Sequence, residues 1–289
     1  MPENPVLAII GGSGLYKMSG LEDTQEFDLE TPFGKPSAPV VVGSLEGRKV
    51  AFLARHGIGH HISPSEINYR ANIYALKSLG VERIVSVSAC GSLRDDYAPG
   101  EIVIPHQLFD FTRNRARTFF EGGLVAHISV ADPFCPNLSE QLFTSAQATA
   151  GTIHRGGTFI TIEGPRFSTR AESNVFRGWG MALVGMTTSP EAFLAREAEM
   201  CYAVMAHVTD YDVWHISEEP VTVERVIQII NQNTETAQEA IRNLARDLDQ
   251  ERTCDCQDAL SDALITDPKV VPEETRRRLN LLVNKYLKA

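Results

Sequence analysis

The sequence predicts an α/β fold, a single domain with a mixed central β-sheet flanked by helices, and three observations carry that prediction. Strand-like runs alternate with helical patterns. Several of the runs are nearly continuous in Val, Ile and Ala, as in a sheet covered on both faces, and no Pro/Gly/Ser-rich linker divides the 289 residues. A chain of this length buries a substantial core. Strands are expected at 6–11, 40–43, 50–54, 83–88, 101–105, 157–163 and 201–209, each an apolar run bounded by turn residues.

Helices are expected between them. Residues 65–79 have a cap at Ser65 and a stop at Gly80; 138–150 and 169–176 are shorter; 190–199 opens with Pro190 at a first-turn position. Residues 221–248 place Val223, Val226, Ile227, Ile230, Ala237, Ile241, Leu244 and Leu248 at spacings of three and four, one apolar stripe for packing on the body. Two short helical patterns, 258–265 and 272–286, follow as a C-terminal extension from residue 250, separated by Asp267-Pro268. The whole chain, 1–289, is expected to be one domain.

Hydrophobic residues make up 43% and charged residues 22%, an ordinary balance for a globular protein, and no run approaches the ~18 apolar residues of a membrane span. The N-terminus, Met1-Pro2-Glu3-Asn4-Pro5, lacks a signal peptide's basic region, so a cytoplasmic location is expected. A net charge of −10 opposes nucleic acid, whose affinity for proteins comes from clustered Lys and Arg. The dense basic cluster Arg276-Arg277-Arg278 precedes Leu279, Leu281 and Leu282 and reads as a solvated helix face. Cys90, Cys135 and Cys201 are scattered, and Cys254-Asp255-Cys256 has no second pair or histidines beside it. Free thiols or an unusual intracellular disulfide are expected there, and no metal.

The chemistry-bearing segments fall at strand ends. Thr209-Asp210-Tyr211-Asp212 closes the run 201–208; on a strand, a period of two puts Asp210 and Asp212 on one face and Tyr211 on the other. Carboxylates held that close rarely both ionise, so one pKa should rise and leave an acid able to donate a hydrogen bond to a purine nitrogen. A helix-capping acid in a polar loop is the competing reading. Gly11-Gly12-Ser13-Gly14 follows the first strand and turns backbone amides and the Ser13 hydroxyl toward an anion, or is simply a tight turn; it matches neither a dinucleotide fingerprint nor a Walker loop. Arg55-His56-Gly57 ends another strand and offers a planar fork and an imidazole donor.

Ser86-Val87-Ser88-Ala89-Cys90-Gly91-Ser92 and Met186-Thr187-Thr188 supply hydroxyls at further strand ends, with Met186 a soft wall for a sugar face or thioether. In Glu163-Gly164-Pro165-Arg166-Phe167-Ser168-Thr169, Phe167 is placed to stack on a flat ring, unless it is core, and Ser168 to reach a polar atom. There is no GxSxG elbow and no zinc-protease histidine pair, so hydrolase chemistry through a side-chain nucleophile fits poorly.

Read in order over about the first 250 residues, these segments, with Thr31-Pro32-Phe33-Gly34-Lys35-Pro36-Ser37 and Ala89-Cys90-Gly91-Ser92-Leu93, resemble the 5′-methylthioadenosine phosphorylases of the purine nucleoside phosphorylase superfamily. The resemblance implies a purine nucleoside phosphorylase-like fold. It also implies reversible phosphorolysis of 5′-methylthioadenosine to adenine and 5-methylthioribose-1-phosphate, with phosphate as co-substrate and no metal or organic cofactor. It makes Ser13, Arg55, His56, Ser88, Ala89 and Thr187 the phosphate pocket. Phe167, Ser168, Met186, Asp210 and Asp212 become the nucleoside pocket, with Asp210 and Asp212 catalytic and Val223 and Val226 beside the 5′ group. The family often has Thr where this chain has Ser13 and Ser88, and a hydroxyl survives at both. His127 resembles a residue lent to a neighbouring subunit, which implies a trimer or a pair of trimers. The C-terminal extension resembles a bacterial and archaeal branch. Two rivals are a 6-oxopurine nucleoside or methylthioinosine phosphorylase, whose members place Asn at the position of Asp210, and a nucleoside-binding protein without catalysis.

Overall fold

Eleven strands join in one sheet among the residues described by the structure, a computed structural model covering 4–12, 18, 20–215 and 223–287. In chain order the elements are β1 (Leu7–Gly11), β2 (Glu22–Phe27), β3 (Val40–Leu45), β4 (Arg48–Ala54), α1 (Tyr69–Ser78), β5 (Arg83–Ser92), β6 (Ile102–Ile104), β7 (Gln107–Asp110) and α2 (Pro136–Gln147). Then come β8 (Ile153–Arg155), β9 (Thr158–Thr161), α3 (Arg170–Gly178), β10 (Leu183–Gly185), α4 (Thr188–Glu197), β11 (Cys201–Asp210), α5 (Val223–Asp247) and α6 (Glu273–Val283). The order β2-β3-β4-β1-β5-β10-β9-β7 branches at the long strand β5, which also pairs with β11, and β6 and β8 continue beyond it. β4, β1, β5 and β11 run parallel, so β4 and β1 end, at Ala54 and Gly11, beside the middle of the longer β5, where Ser86 to Ser88 lie, and Asp210 ends β11 opposite Gly91 further along β5.

Both faces of these central strands are covered, which is why their sequences are apolar at nearly every position. Ala8, Ile10, Ala51, Leu53, Ile84, Tyr202, Val204 and Ala206 pack on one side with α1 and α4. Leu7, Ile9, Val50, Phe52, Val85, Ala203 and Met205 pack on the other with α2 and α5. The alternation of two along each strand puts Arg55, Ser86 and Ser88 on the α1/α4 side.

Several expected elements shift for identifiable reasons. α1 starts at Tyr69 because Asn68, not Ser65, accepts the Ala71 amide; Ser65 instead donates to Glu163. α3 has the reciprocal cap that Thr169 and Glu172 allow. Pro190 does not open α4 regularly: Ser189 before it is extended (φ −105°, ψ 135°), as the residue preceding a proline tends to be. β2 carries no apolar alternation and is mostly exposed, so only its antiparallel pairing with β3 defines it. Of the stripe on α5, Ala237, Ile241, Leu244 and Leu248 are buried, whereas Ile227 is 52% exposed. The pattern at 258–265 is not an α-helix but a 3-10 turn at Asp255–Asp258 followed by turns and a bridge from Leu264 to Ala126. The cysteines read as scattered or isolated are not: the Sγ atoms of Cys135, Cys201, Cys254 and Cys256 all lie within 4.8 Å of one another.

Candidate active site

Arg55 follows β4 and is 2% exposed, and its guanidinium organises the buried side of the site. Nε and Nη2 each donate to the Glu191 carboxylate at 2.8 Å; Nη2 also meets Ser86 Oγ at 2.6 Å, and Nη1 meets the Val87 carbonyl at 3.2 Å. Burial opposes the charge, but the Glu191 carboxylate outweighs it and holds Arg55 above its ordinary pKa. The expected open fork for an anion is therefore corrected: its paired edge is filled by Glu191, itself steadied by the Tyr202 hydroxyl, and one Nη1 hydrogen is left without an acceptor among the described residues.

Around this pair lie hydroxyls and open backbone. Ser86 and Ser88 Oγ atoms are 3.2 Å apart. Ala89 is the one exposed residue in the otherwise buried β5, so the strand opens at that point. Gly185, at the end of β10, comes close enough that a Cβ there would sit 3.5 Å from the Ala89 carbonyl. Thr187 follows at the N-terminal cap of α4, buried and with no capping bond from its side chain. His56 stacks on His60 with centroids 4.3 Å apart, and its Nδ1 is 2.9 Å from the Ile62 carbonyl. Burial, then the charge of Arg55, lowers its pKa to about 4. It is thus neutral at pH 7, with the carbonyl fixing the proton on Nδ1, so Nε2 is an acceptor rather than the donor expected.

The acidic pair also differs from expectation. β11 ends at Asp210 after an irregularity past Val208, and Asp212 (φ 50°) lies beyond it, so strand alternation does not align the two. A turn does: the Asp212 amide donates to Asp210 Oδ1 at 2.7 Å, and the Thr209 hydroxyl to Asp210 Oδ2 at 2.6 Å. Asp212 is raised from the usual carboxylate range, but by burial rather than by its acidic neighbour; Ser173 and Ser168 lie close enough to oppose the shift. Asp212 Oδ2, Ser168 Oγ and Ser173 Oγ are all buried outside hydrogen-bonding geometry. Gly91 makes room for both acids, since a Cβ there would fall 2.9 Å from Asp210 Oδ1 and 3.2 Å from Asp212 Cβ. Phe167 is 40% exposed beside Ser168, and Met186 Sδ covers Gly164 at the start of that loop, 2.6 Å from where a Cβ would stand.

Ser13 and the side chains of Val223 and Val226 lie outside the described residues. His127 is exposed, with its amide on the Ala263 carbonyl. Two residues of consequence were missed by the sequence reading. Glu191 was hidden inside a helical pattern. Arg115, buried in a loop, donates to Tyr69 Oη, to the Met186 and Ser189 carbonyls and to Glu163, tying together the segments that carry Thr187 and Phe167. Two open clefts of about 600 and 770 Å³ lie elsewhere, beside Arg94 and Arg177 and along α6, and bring none of these groups together.

The sequence model of the Phosphorylase superfamily matches residues 6–246. The chain belongs to that superfamily. Among its relatives, an S-methyl-5′-thioadenosine phosphorylase of Geobacter sulfurreducens is 54% identical, over 98% of this chain and 99% of the relative. One of Thermofilum pendens is 52% identical over 91% and 100%. A methylthioadenosine phosphorylase structure from an antarctic soil metagenomic library superposes with a TM-score of 0.92 at 46% identity, covering 97% of this superfamily member and 100% of the other chain. The methylthioadenosine phosphorylase from Schistosoma mansoni in complex with tubercidin gives 0.80 at 34%, covering 89% and 96%.

Proposed function

We propose that the protein cleaves 5′-methylthioadenosine with inorganic phosphate, releasing adenine and 5-methylthioribose-1-phosphate, and does so as a single domain with residues 250–289 as its C-terminal extension. The observation that supports this best is the open backbone at Ala89, two residues before a glycine, Gly91, against which Asp210 and Asp212 both pack, with Ser168 and Ser173 beside the buried Asp212. The relatives that match nearly the whole chain carry the same activity in their names.

In this reading phosphate lies among Ser13, Ser88, Thr187, the Ala89 amide and the remaining Nη1 hydrogen of Arg55, while neutral His56 Nε2 accepts a hydrogen bond from the phosphate O–H. Phosphate is the nucleophile, which accounts for the lack of an activated side-chain nucleophile among the described residues of the site. It attacks the anomeric carbon as the C–N bond lengthens and positive charge builds on the sugar, with Met186 against the ribose. The purine lies along Phe167. Asp210, carrying a proton, donates a hydrogen bond to the imidazole nitrogen, which relieves negative charge on the departing base, and Asp212 with Ser168 meets the amino group. Val223 and Val226 cover the methylthio group. His127 serves the site of a neighbouring subunit in a trimer, which light scattering tests.

The deciding experiment incubates the protein with methylthioadenosine, with and without phosphate, and follows adenine. Release only with phosphate is expected. Release without it indicates a hydrolase, and none in either case a binding protein.

A further inference from the structure

We propose that Cys135, Cys201, Cys254 and Cys256 bind one zinc ion as a closed tetrathiolate site, apart from the nucleoside pocket. Their four Sγ atoms lie within 4.8 Å of one another, and Cys201 Sγ is 3.3 Å from Cys254 Sγ. A tetrahedral site with Zn–S bonds of ~2.3 Å sets its sulfurs ~3.8 Å apart, so the cluster needs only sub-ångström to ångström adjustments to close on an ion. The four come from three separate elements: Cys135 caps α2, Cys201 begins β11, and Cys254 and Cys256 flank Asp255 at the 3-10 turn after α5. Three of them are buried and Cys254 is half-buried.

The surroundings suit thiolates. The Leu138 amide, in the first turn of the 12-residue α2, donates to Cys135 Sγ at 3.5 Å, so positive helix-end potential falls on that sulfur. Arg196 brings a positive charge to Cys256 and so offsets part of the net charge of minus two that four thiolates and a divalent ion would carry. Binding converts four thiols to thiolates and releases their protons to solvent, with no change of oxidation state.

All-sulfur tetrahedral ligation selects zinc over harder divalent cations, and four protein ligands leave no position for a catalytic water, so the site is structural. Two of the ligands lie beyond residue 246, where the superfamily match ends, and the ion would fasten that segment to the first residue of the strand that ends in Asp210.

The test uses the full chain, purified under reduction without chelator. Elemental analysis is expected to find one zinc per chain, and titration with an organomercurial is expected to release it in step with loss of four thiols. Exchange for cobalt should give the visible bands of a tetrahedral cobalt thiolate. C254S/C256S should lower zinc content at least tenfold, whereas C90A should keep it; the wild-type measurements stand alone should the double variant fail to fold. Metal-free protein with five free thiols, a mass lower by four hydrogens from two disulfides, or iron in place of zinc would each overturn the assignment.

Discussion

Replacing Glu191 with Ala removes the counter-charge of a guanidinium that is 2% exposed. Two hydrogen bonds of 2.8 Å join the pair, and the Tyr202 hydroxyl loses its acceptor as well. Leaving one member of a buried ion pair alone costs about 3–5 kcal/mol, and a stranded buried hydroxyl adds about 1–3 kcal/mol where no water replaces the partner. At ~2–4 °C per kcal/mol for a domain approaching this size, E191A should melt at least ~6 °C below the parent. The double variant R55M/E191L replaces both charges by apolar groups of similar reach and should recover most of that loss, because the desolvation cost disappears with the pair. On the proposed placement of phosphate it should nevertheless be inactive, because the Nη1 donor of Arg55 is gone. Calorimetry and urea melts of the parent, both single variants and the double measure the coupling. A loss below ~1 kcal/mol in E191A, or a double variant no more stable than E191A, would refute the reasoning.

Burial lifts Glu197 to about 7, against the bonds it accepts from the Phe119 amide and the Thr118 hydroxyl. Because the folded-state pKa is raised, the folded chain binds the extra proton, so its stabilising contribution is present below the unfolded pKa and is lost as pH rises through about 7. The parent should lose about 3 kcal/mol from this group between pH 4 and 8, and E197Q should flatten that slope in melts across the range. D210A should depress kcat more than it raises the KM for nucleoside, and the parent should prefer 6-amino to 6-oxo nucleosides; near-normal turnover, or better cleavage of methylthioinosine, removes Asp210 from its role. On the proposed placement of Val223 and Val226, methylthioadenosine should be preferred at least tenfold in kcat/KM over adenosine, because valine offers the 5′ hydroxyl no partner. V223H should narrow that ratio, and an unchanged ratio in an active variant would place Val223 outside the pocket.

The central strands were legible because burial on both faces writes a continuous apolar run, as in β1, β4 and β11. β2 was not, since its residues are exposed and only hydrogen bonds to β3 order it. Strand ends located most of the candidate residues, yet their internal economy stayed hidden: Glu191 and Arg115 meet their partners across 136 and up to 74 positions of sequence, a pairing that no local pattern records. For the same reason Asp210 and Asp212 were rightly associated but wrongly explained. Period two suggested a shared strand face, whereas an amide-to-carboxylate turn joins them. The cysteines show the limit most clearly, because spacing exposes the Cys254–Cys256 pair but not the two partners that folding delivers.

Arg115 holds the Met186 and Ser189 carbonyls on one side and Glu163 on the other, so the segments proposed to meet sugar and phosphate and to meet purine share a single hydrogen-bonded clasp. Motion in one is therefore motion in both, and a ligand that quiets either spares its companion part of the entropy of ordering the other. The two substrates should then bind with positive, reciprocal coupling: whatever factor the nucleoside contributes to phosphate affinity, phosphate returns to the nucleoside. The affinity of each substrate for the site then depends on the other through one loop arginine.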